Sequence, residues 1–126
     1  MAIKILITDD EESFLASTSH ILKEEGYECH CAASSAEALA TLAAEDFDLV
    51  LADIRMPGNS ELKFFRQVRE NYPNLPLIVI TGYPSIDTAI RSIQLKVWDY
   101  IVKPFDIDGL KERVKSCLIE KGVIGS

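Results

Sequence analysis

The sequence predicts a doubly wound α/β fold built on a parallel sheet. Five short apolar or β-branched runs alternate along the chain with segments of helical periodicity. Runs such as Leu77–Ile80 are almost continuously apolar, which is typical of strands covered by helices on both faces. The length of 126 residues suits one compact domain of this kind.

The strands are indicated by length and by enrichment in β-branched and apolar residues. In chain order the predicted strands are Ile3–Thr8, Tyr27–Cys31, Asp48–Ala52, Leu77–Thr81 and Trp98–Val102.

The helices between them are indicated by apolar residues spaced three and four apart, which share one helical face. The three clearest sets are Phe14, Leu15, Thr18, Ile21 and Leu22, then Ala38, Leu39 and Leu42, then Leu62, Phe65, Val68 and Arg69. Boundary signals support four of the five helices. These are Gly26 after the first, the capping box from Ser34 to Glu37 at the second, Ser85 at the fourth, and Asp106 before the fifth, whose apolar stripe is Ile107, Leu110, Val114 and Leu118.

Composition excludes several classes of protein. Apolar residues make up 48% of the chain and charged residues 26%, so a disordered segment is excluded, and no apolar run is long enough to span a membrane. The net charge of −7 would repel a phosphate backbone, so direct binding of nucleic acid is not expected. We therefore expect a soluble globular protein.

Charged and hydroxyl side chains follow four of the five predicted strands. The set consists of Asp9 and Asp10, Asp53, Thr81, and Lys103. Ligands bind at the carboxyl ends of the strands in an open parallel sheet, so these groups should converge at one edge. Like charges about 4 Å apart repel by about 4 kcal/mol at an effective dielectric of 20, and a cation must offset this repulsion. Carboxylate oxygens are preferred ligands of Mg²⁺, so the set suits phosphoryl transfer with an Asp nucleophile.

At these positions the chain resembles the receiver domains of bacterial two-component response regulators, and the resemblance covers essentially the whole chain. The matching segments are Ile5–Glu11, Leu51–Pro57, Thr81-Gly82 and Tyr100–Phe105. The segment Thr81–Ala89 is most similar to receivers of nitrogen-regulator-type transcription activators. The resemblance implies a flavodoxin-like sheet with strand order 2-1-3-4-5 and five helices. It also implies a receiver over residues 1–121 and a short C-terminal tail over 122–126, with no output domain in this chain.

The resemblance also implies a role for each matched residue. Asp53 would accept a phosphoryl group from a histidine kinase or phosphotransfer protein. The implied Mg²⁺ ligands are Asp9, Asp10, Asp53 and the backbone carbonyl of Arg55. Lys103 and Thr81 would bind the phosphoryl group, and Tyr100 would follow Thr81 inward as a switch. Arg55 and Tyr83 would modulate the lifetime of the aspartyl phosphate, and the Lys103-Pro104 peptide bond would be cis.

The face formed by the fourth helix, fifth strand and fifth helix would contact an output domain or a homodimer partner. Such a protein is a phosphoacceptor switch that catalyses only its own phosphorylation and dephosphorylation.

Two segments depart from the family pattern. Ser60-Glu61 replaces an expected Asp-Gly or Asn-Gly, and Lys96-Val97 replaces Gly-Ala, which removes a residue tolerant of positive φ.

The Cys29-His30-Cys31 run suggests a metal site, but on a strand the two thiols point to one face and the imidazole to the other. We therefore expect two buried thiols and one exposed imidazole.

The odd total of three cysteines does not suit a disulfide framework, and no signal peptide precedes the first strand, so a reducing cytoplasm is expected.

Three other functions remain open. An aspartyl-phosphate phosphohydrolase would need an acid two residues after Asp53, where Arg55 stands. A receiver-like interaction module that is never phosphorylated would fit the two altered segments. Nucleotide binding has the least support, because no Gly-x-Gly-x-x-Gly motif follows the first strand.

Overall fold

The computed structural model describes residues 2–59 and 62–125. Its ten elements alternate strictly between strand and helix along the chain. They are β1 (Lys4–Thr8), α1 (Glu12–Glu24), β2 (Glu28–Ala32), α2 (Ser35–Ala44), β3 (Leu49–Asp53), α3 (Lys63–Asn71), β4 (Leu77–Thr81), α4 (Ile86–Gln94), β5 (Asp99–Val102) and α5 (Ile107–Glu120). The predicted strands are confirmed, with boundaries that differ by at most one residue.

The five strands form one parallel sheet in the order β2-β1-β3-β4-β5, as the resemblance implied. Residues alternate between its two faces, so each strand contributes to two apolar layers. One layer packs Leu6, Val50 and Val79 against α2 and α3, and the other packs Ile7, Leu51 and Ile80 against α1 and α5. Each fully buried aliphatic side chain contributes about 1.5–3 kcal/mol, so the two layers stabilise the strand ends that carry the polar residues.

The predicted helix starts are confirmed by side-chain caps. Ser34 accepts a hydrogen bond from the backbone N–H of Glu37, and Ser85 and Asp106 accept equivalent bonds at the starts of α4 and α5. The Glu37 carboxylate accepts from the N–H of Ala33. These caps satisfy N–H groups that a helix leaves unpaired in its first turn.

Helix α4 packs less closely on the sheet than the other helices. Its only buried residue is Ser92, whose hydroxyl has no hydrogen-bond partner among the described residues. Ile86 and Ile93 are 81% and 73% exposed, and Ile90 is also exposed. Apolar burial therefore stabilises α4 very little.

The carboxyl end of α4 is instead held by Arg69 of α3. The Arg69 Nε donates to the carbonyl of Leu95 at 2.9 Å, and Nη2 donates to that of Lys96 at 3.4 Å. Its Nη1 donates to the carbonyls of Pro73 and Leu75 at 2.9 and 3.1 Å. One planar guanidinium thus joins the ends of α3 and α4 to the segment that enters β4.

Lys96 adopts φ 57°, in the left-handed region that an L side chain rarely occupies. The resemblance to receiver domains predicts glycine at this position, where the chain has lysine. Leu62, which precedes α3, has φ 59°, while the Ser60-Glu61 departure lies outside the described residues.

The expectation of two buried thiols on β2 is wrong. Cys29 is half-buried and Cys31 is exposed, because β2 is an edge strand that has a neighbour on one side only. His30 lies on the opposite face, as predicted, and is half-buried. Cys117 is buried in α5, and all three thiols are free.

None of the helices in the described part of the chain is both long and apolar enough to cross a membrane.

We predict that Lys96→Gly raises the free energy of unfolding by about 1 kcal/mol, because a left-handed conformation costs an L residue about that much and glycine nothing. Denaturant unfolding measures the change. Lys115→Gly is the matched control, since Lys115 is exposed inside α5 and glycine there should lower stability by about 1 kcal/mol. Equal losses in the two variants would contradict the assignment of strain to Lys96.

Candidate phosphoryl-transfer site

The polar residues predicted at the strand ends lie at one edge of the sheet. In the parallel register Thr8 pairs with Ala52, Asp53 with Ile80, and Thr81 with Val102. The residues that end β1, β3, β4 and β5 therefore lie side by side. Asp9 and Thr81 are fully buried and Asp53 is nearly so, although all three are polar.

Lys103 joins two of these carboxylates. Its Nζ donates to Asp9 Oδ2 at 2.7 Å and to Asp53 Oδ2 at 2.9 Å, across 94 and 50 residues of sequence. Glu11 Oε1 lies 3.8 Å from the same ammonium group, and the Lys103 side chain is only 16% exposed. The shared ammonium offsets the repulsion that the two buried aspartates would otherwise feel.

The second oxygen of each aspartate is held by the backbone. Asp9 Oδ1 accepts from the N–H of Glu11, and Asp53 Oδ1 accepts from the N–H of Arg55, both at 2.9 Å. Each carboxylate thus bonds to the loop that leaves its own strand. These contacts fix the orientation of both groups before any ligand arrives.

Burial raises the pKa of Asp53, and the negative charge of Asp9 raises it further, although the Arg55 N–H and Lys103 act in the opposite direction. Burial alone would lower the pKa of Lys103, but its hydrogen bonds to Asp9 and Asp53 outweigh that effect and raise it. The Lys103 ammonium therefore stays charged at neutral pH, so a positive charge always lies beside the carboxylates of Asp9 and Asp53.

The aromatic ring of Phe14 covers the ammonium of Lys103. The Nζ lies 4.0 Å from the ring centroid, and Phe105 packs edge-on against the same ring at 5.9 Å. The spacing of Phe14 in the sequence predicts only a place on the apolar face of α1. The sequence signal that places Phe14 near the site is its position in the first turn of α1, directly after Asp9 and Asp10, because that turn lies at the same sheet edge.

The donor set fits Mg²⁺. Asp9 and Asp53 each present a carboxylate oxygen to the same ammonium group, and Asp10, the next residue after Asp9, is exposed. Three carboxylates and one ammonium leave a formal charge of −2, which a single divalent cation would neutralise. Asp9 is already bonded to Lys103, whereas Asp10 is exposed to solvent.

Thr81, Tyr83 and Arg55 form a second group at this edge. The Thr81 hydroxyl oxygen accepts from the N–H of Tyr83 at 2.9 Å, so its own proton can still be donated. The guanidinium of Arg55 lies 4.2 Å from the centroid of the Tyr83 ring, and Tyr83 is 67% exposed. The two side chains therefore stack where the loops after β3 and β4 leave the sheet.

The hydroxyl of Tyr100 contacts helix α4. It hydrogen-bonds to Thr88 Oγ1 at 2.9 Å, which connects β5 to the first turns of α4. Thr88 also donates its backbone N–H to the Ser85 cap. The Lys103-Pro104 peptide bond is cis, as expected.

Comparison with known families identifies one match. The family described as the response regulator receiver domain matches residues 5–115 of the chain. The regulatory protein AtoC of Escherichia coli K12 is 36% identical over 115 residues, which cover 91% of this chain and 25% of that protein. The DNA-binding transcriptional regulator NtrC of the same strain is 36% identical over 104 residues, or 82% of this chain and 22% of NtrC. The chain thus spans about a quarter of the length of these relatives.

Solved structures match the whole fold. A CheY-like response regulator receiver domain protein from Methanospirillum hungatei superimposes with a TM-score of 0.91 at 35% identity, covering 97% of this chain and 98% of the other. The response regulator TrrA from Thermotoga maritima, solved in complex with Mg²⁺ and BeF, has a TM-score of 0.83 at 35% identity, covering 92% and 99%.

We predict that Phe14→Leu lowers the pKa of Lys103, because leucine keeps the apolar bulk but lacks the ring face that attracts an ammonium group, a contact worth about 0.5–2 kcal/mol. A pH titration of the Lys103 side chain by NMR measures the change. Phe14→Tyr keeps the ring face and should titrate like the wild type. An unchanged pKa in Phe14→Leu would show that the contact contributes nothing to the charge of Lys103.

Proposed function

Because the chain belongs to the response regulator receiver domain family, we propose that Asp53 accepts a phosphoryl group and that the strand-end residues around it perform the transfer. Receivers of this family act as phosphoacceptor switches in two-component signalling, work with histidine kinases and output domains, and bind Mg²⁺. The observation that carries the assignment is the single ammonium of Lys103 shared between Asp9 and Asp53.

In the transfer an oxygen of Asp53 attacks the phosphorus of a phosphohistidine. The new P–O bond forms as the P–N bond breaks, and the bonding electron pair stays on the imidazole nitrogen. Lys103 is already within hydrogen-bonding distance of Asp53, so it can exchange that contact for a phosphoryl oxygen without leaving the pocket. The Arg55 N–H holds the other oxygen of Asp53 during the attack.

We assign the Mg²⁺ ligands to Asp10, Asp53 and the Arg55 carbonyl, with Asp9 acting mainly through water. When bound, the ion neutralises charge on the phosphoryl oxygens. The assignment of Asp9 is supported by its complete burial, since Asp53 has equivalent hydrogen bonds but is slightly exposed, and Asp10 is exposed.

The switch begins at Thr81. A phosphoryl group adds a charge of about −1.5 to −2 and strong acceptor oxygens, which attract the Thr81 hydroxyl proton. Movement of Thr81 alters the Tyr83 N–H contact and the loop that leads to the Ser85 cap of α4. Tyr100 then gives up its bond to Thr88 and follows inward.

We further propose that residues 1–121 form the receiver unit and residues 122–126 a short tail, and that the unit acts in the cytoplasm. Its only catalysis would be its own phosphorylation and dephosphorylation. The exposed apolar side chains Ile90, Ile93 and Val102 support the surface of α4, β5 and α5 as the contact for an output domain or a second copy. The acidic net charge argues against direct contacts of this unit with nucleic acid.

We predict that Asp53→Asn abolishes phosphorylation by acetyl phosphate with Mg²⁺, because an amide oxygen is not a nucleophile of comparable strength. In the wild type, beryllofluoride with Mg²⁺ should shift the NMR signals of Thr81 and Tyr100. Asp108→Asn, which alters an exposed acid in α5, should respond like the wild type. Two results together would favour the receiver-like interaction module that is never phosphorylated. They are equal binding of a partner to Asp53→Asn and to the wild type, and no shift of the Thr81 and Tyr100 signals with beryllofluoride.

We predict that Tyr83→Ala speeds loss of the phosphoryl group by several-fold. Tyr83 stacks with Arg55, two residues after Asp53, and we propose that the pair screens one approach of water to Asp53. The first-order decay of the phosphorylated protein measures the effect. Tyr83→Phe keeps the ring and its contact with Arg55, so it should decay like the wild type. If Tyr83→Ala also decays at the wild-type rate, Tyr83 has no role in the lifetime.

A further inference from the structure

A second cluster of ligand-type side chains lies near the amino-terminal ends of β1 and β2, away from the edge that carries Asp53. It consists of Glu28 and His30 on β2 and Glu45 at the end of α2. His30 Nε2 lies 2.8 Å from Glu28 Oε2, and His30 Nδ1 lies 3.7 Å from Glu45 Oε2. One ligand atom from each of the three residues lies within 4.8 Å of the others.

The fold explains why these three meet. Glu28 and His30 are two residues apart on a strand, so they share one face of the sheet. Helix α2 packs on that face and ends at Ala44, which brings Glu45 over it. Two ligands of the cluster thus lie on β2 and the third directly follows α2. The alternation of side chains along the strand fixes the side of the sheet on which Glu28 and His30 lie.

Phe47 orients the imidazole. The rings of His30 and Phe47 pack edge to face with centroids 5.3 Å apart, and Lys4 Nζ lies 5.2 Å from the centre of the same Phe47 ring. An imidazole held by such contacts loses less freedom on binding a ligand than a freely rotating one.

The local charge favours a cation. Glu28 and Glu45 are accompanied by Asp46 and Asp48 in the same stretch of surface. Lys4 offsets part of this charge, because its Nζ forms an ion pair with Glu45 and lies 3.8 Å from Glu28 Oε2. Lys4 is thus a competitor that a metal ion would have to displace from Glu45.

The ligand types select the class of metal. Imidazole nitrogen together with carboxylate oxygen suits Zn²⁺ and similar transition-metal ions, whereas Mg²⁺ prefers oxygen alone. The histidine is what distinguishes this cluster from an ordinary acidic surface and from the all-oxygen set at Asp9, Asp10 and Asp53.

We propose that Glu28, His30 and Glu45 form a binding site for a zinc-class divalent ion, separate from the Mg²⁺ site proposed at Asp53. The ion would occupy the space between the His30 imidazole and the two glutamates, and would join edge strand β2 to the end of α2. The inference rests on the geometry of this cluster and is independent of phosphoryl transfer.

Titration of the 126-residue chain with Zn²⁺ against a chromogenic chelator, in excess Mg²⁺, tests the site. His30→Ala and Glu45→Gln should each weaken zinc binding by about tenfold or more. His20→Ala is the matched control, because His20 pairs with Glu24 on α1 and offers only two ligands, so its loss should leave the affinity unchanged. Lys4→Gln should tighten binding several-fold, since it removes the competing ammonium.

Two results would overturn the proposal. One is equal zinc affinity in the wild type and in both His30→Ala and Glu45→Gln. The other is loss of zinc binding in Asp53→Asn, which would assign the ion to the phosphoryl-transfer edge. Circular dichroism of each variant confirms that it is folded, and the His30 ring signals in NMR should shift on zinc addition while those of His20 stay in place.

Discussion

Two ionised aspartates buried on neighbouring strands repel each other unless a cation stays with them, and in this protein that cation is the ammonium of Lys103. The contact joins the end of β1, the end of β3 and the residue after β5, so it depends on the strand order that places β1 and β3 at the centre of the sheet. The apolar layers on both faces exclude water from the strands, and this makes the uncompensated charges costly. In the transfer that we propose, the same ammonium group would also be available to an incoming phosphoryl oxygen.

Most of the fold could be predicted because its signals are local. Continuous apolar runs, helical spacing, and caps such as Ser34 and Ser85 each specify structure within a few residues, and their order along the chain specifies the class of sheet. The residues of the site were predictable for a related reason. In a parallel sheet, a polar residue directly after a buried strand lies at the functional edge, so Asp9, Asp53 and Thr81 could be identified without coordinates.

The features that could not be predicted depend on contacts between distant segments. Phe14 has the spacing of an ordinary core residue. Its place in the first turn of α1 indicates that it lies near the site, but its contact with Lys103 depends on the path of the loop after β5. Arg69 has the character of a surface cation, yet it bonds to carbonyls in two loops that are separated in sequence. The exposure of Cys31 follows from the edge position of β2, which the composition of that strand does not encode.

The loose packing of α4 has a consequence for how the molecule fluctuates. Ser92 is the one buried residue of α4, and its hydroxyl has no hydrogen-bond partner among the described residues. Arg69 holds the carboxyl end of the helix. Opening of the amino-terminal end of α4 therefore breaks few stabilising contacts. Its backbone amide hydrogens near Ile86 should therefore exchange with solvent through small local openings, at rates well above those of α1 or α5, whose exchange requires much of the core to open. The segment most closely connected to the Thr81 loop is thus also the one whose rearrangement costs the rest of the domain least.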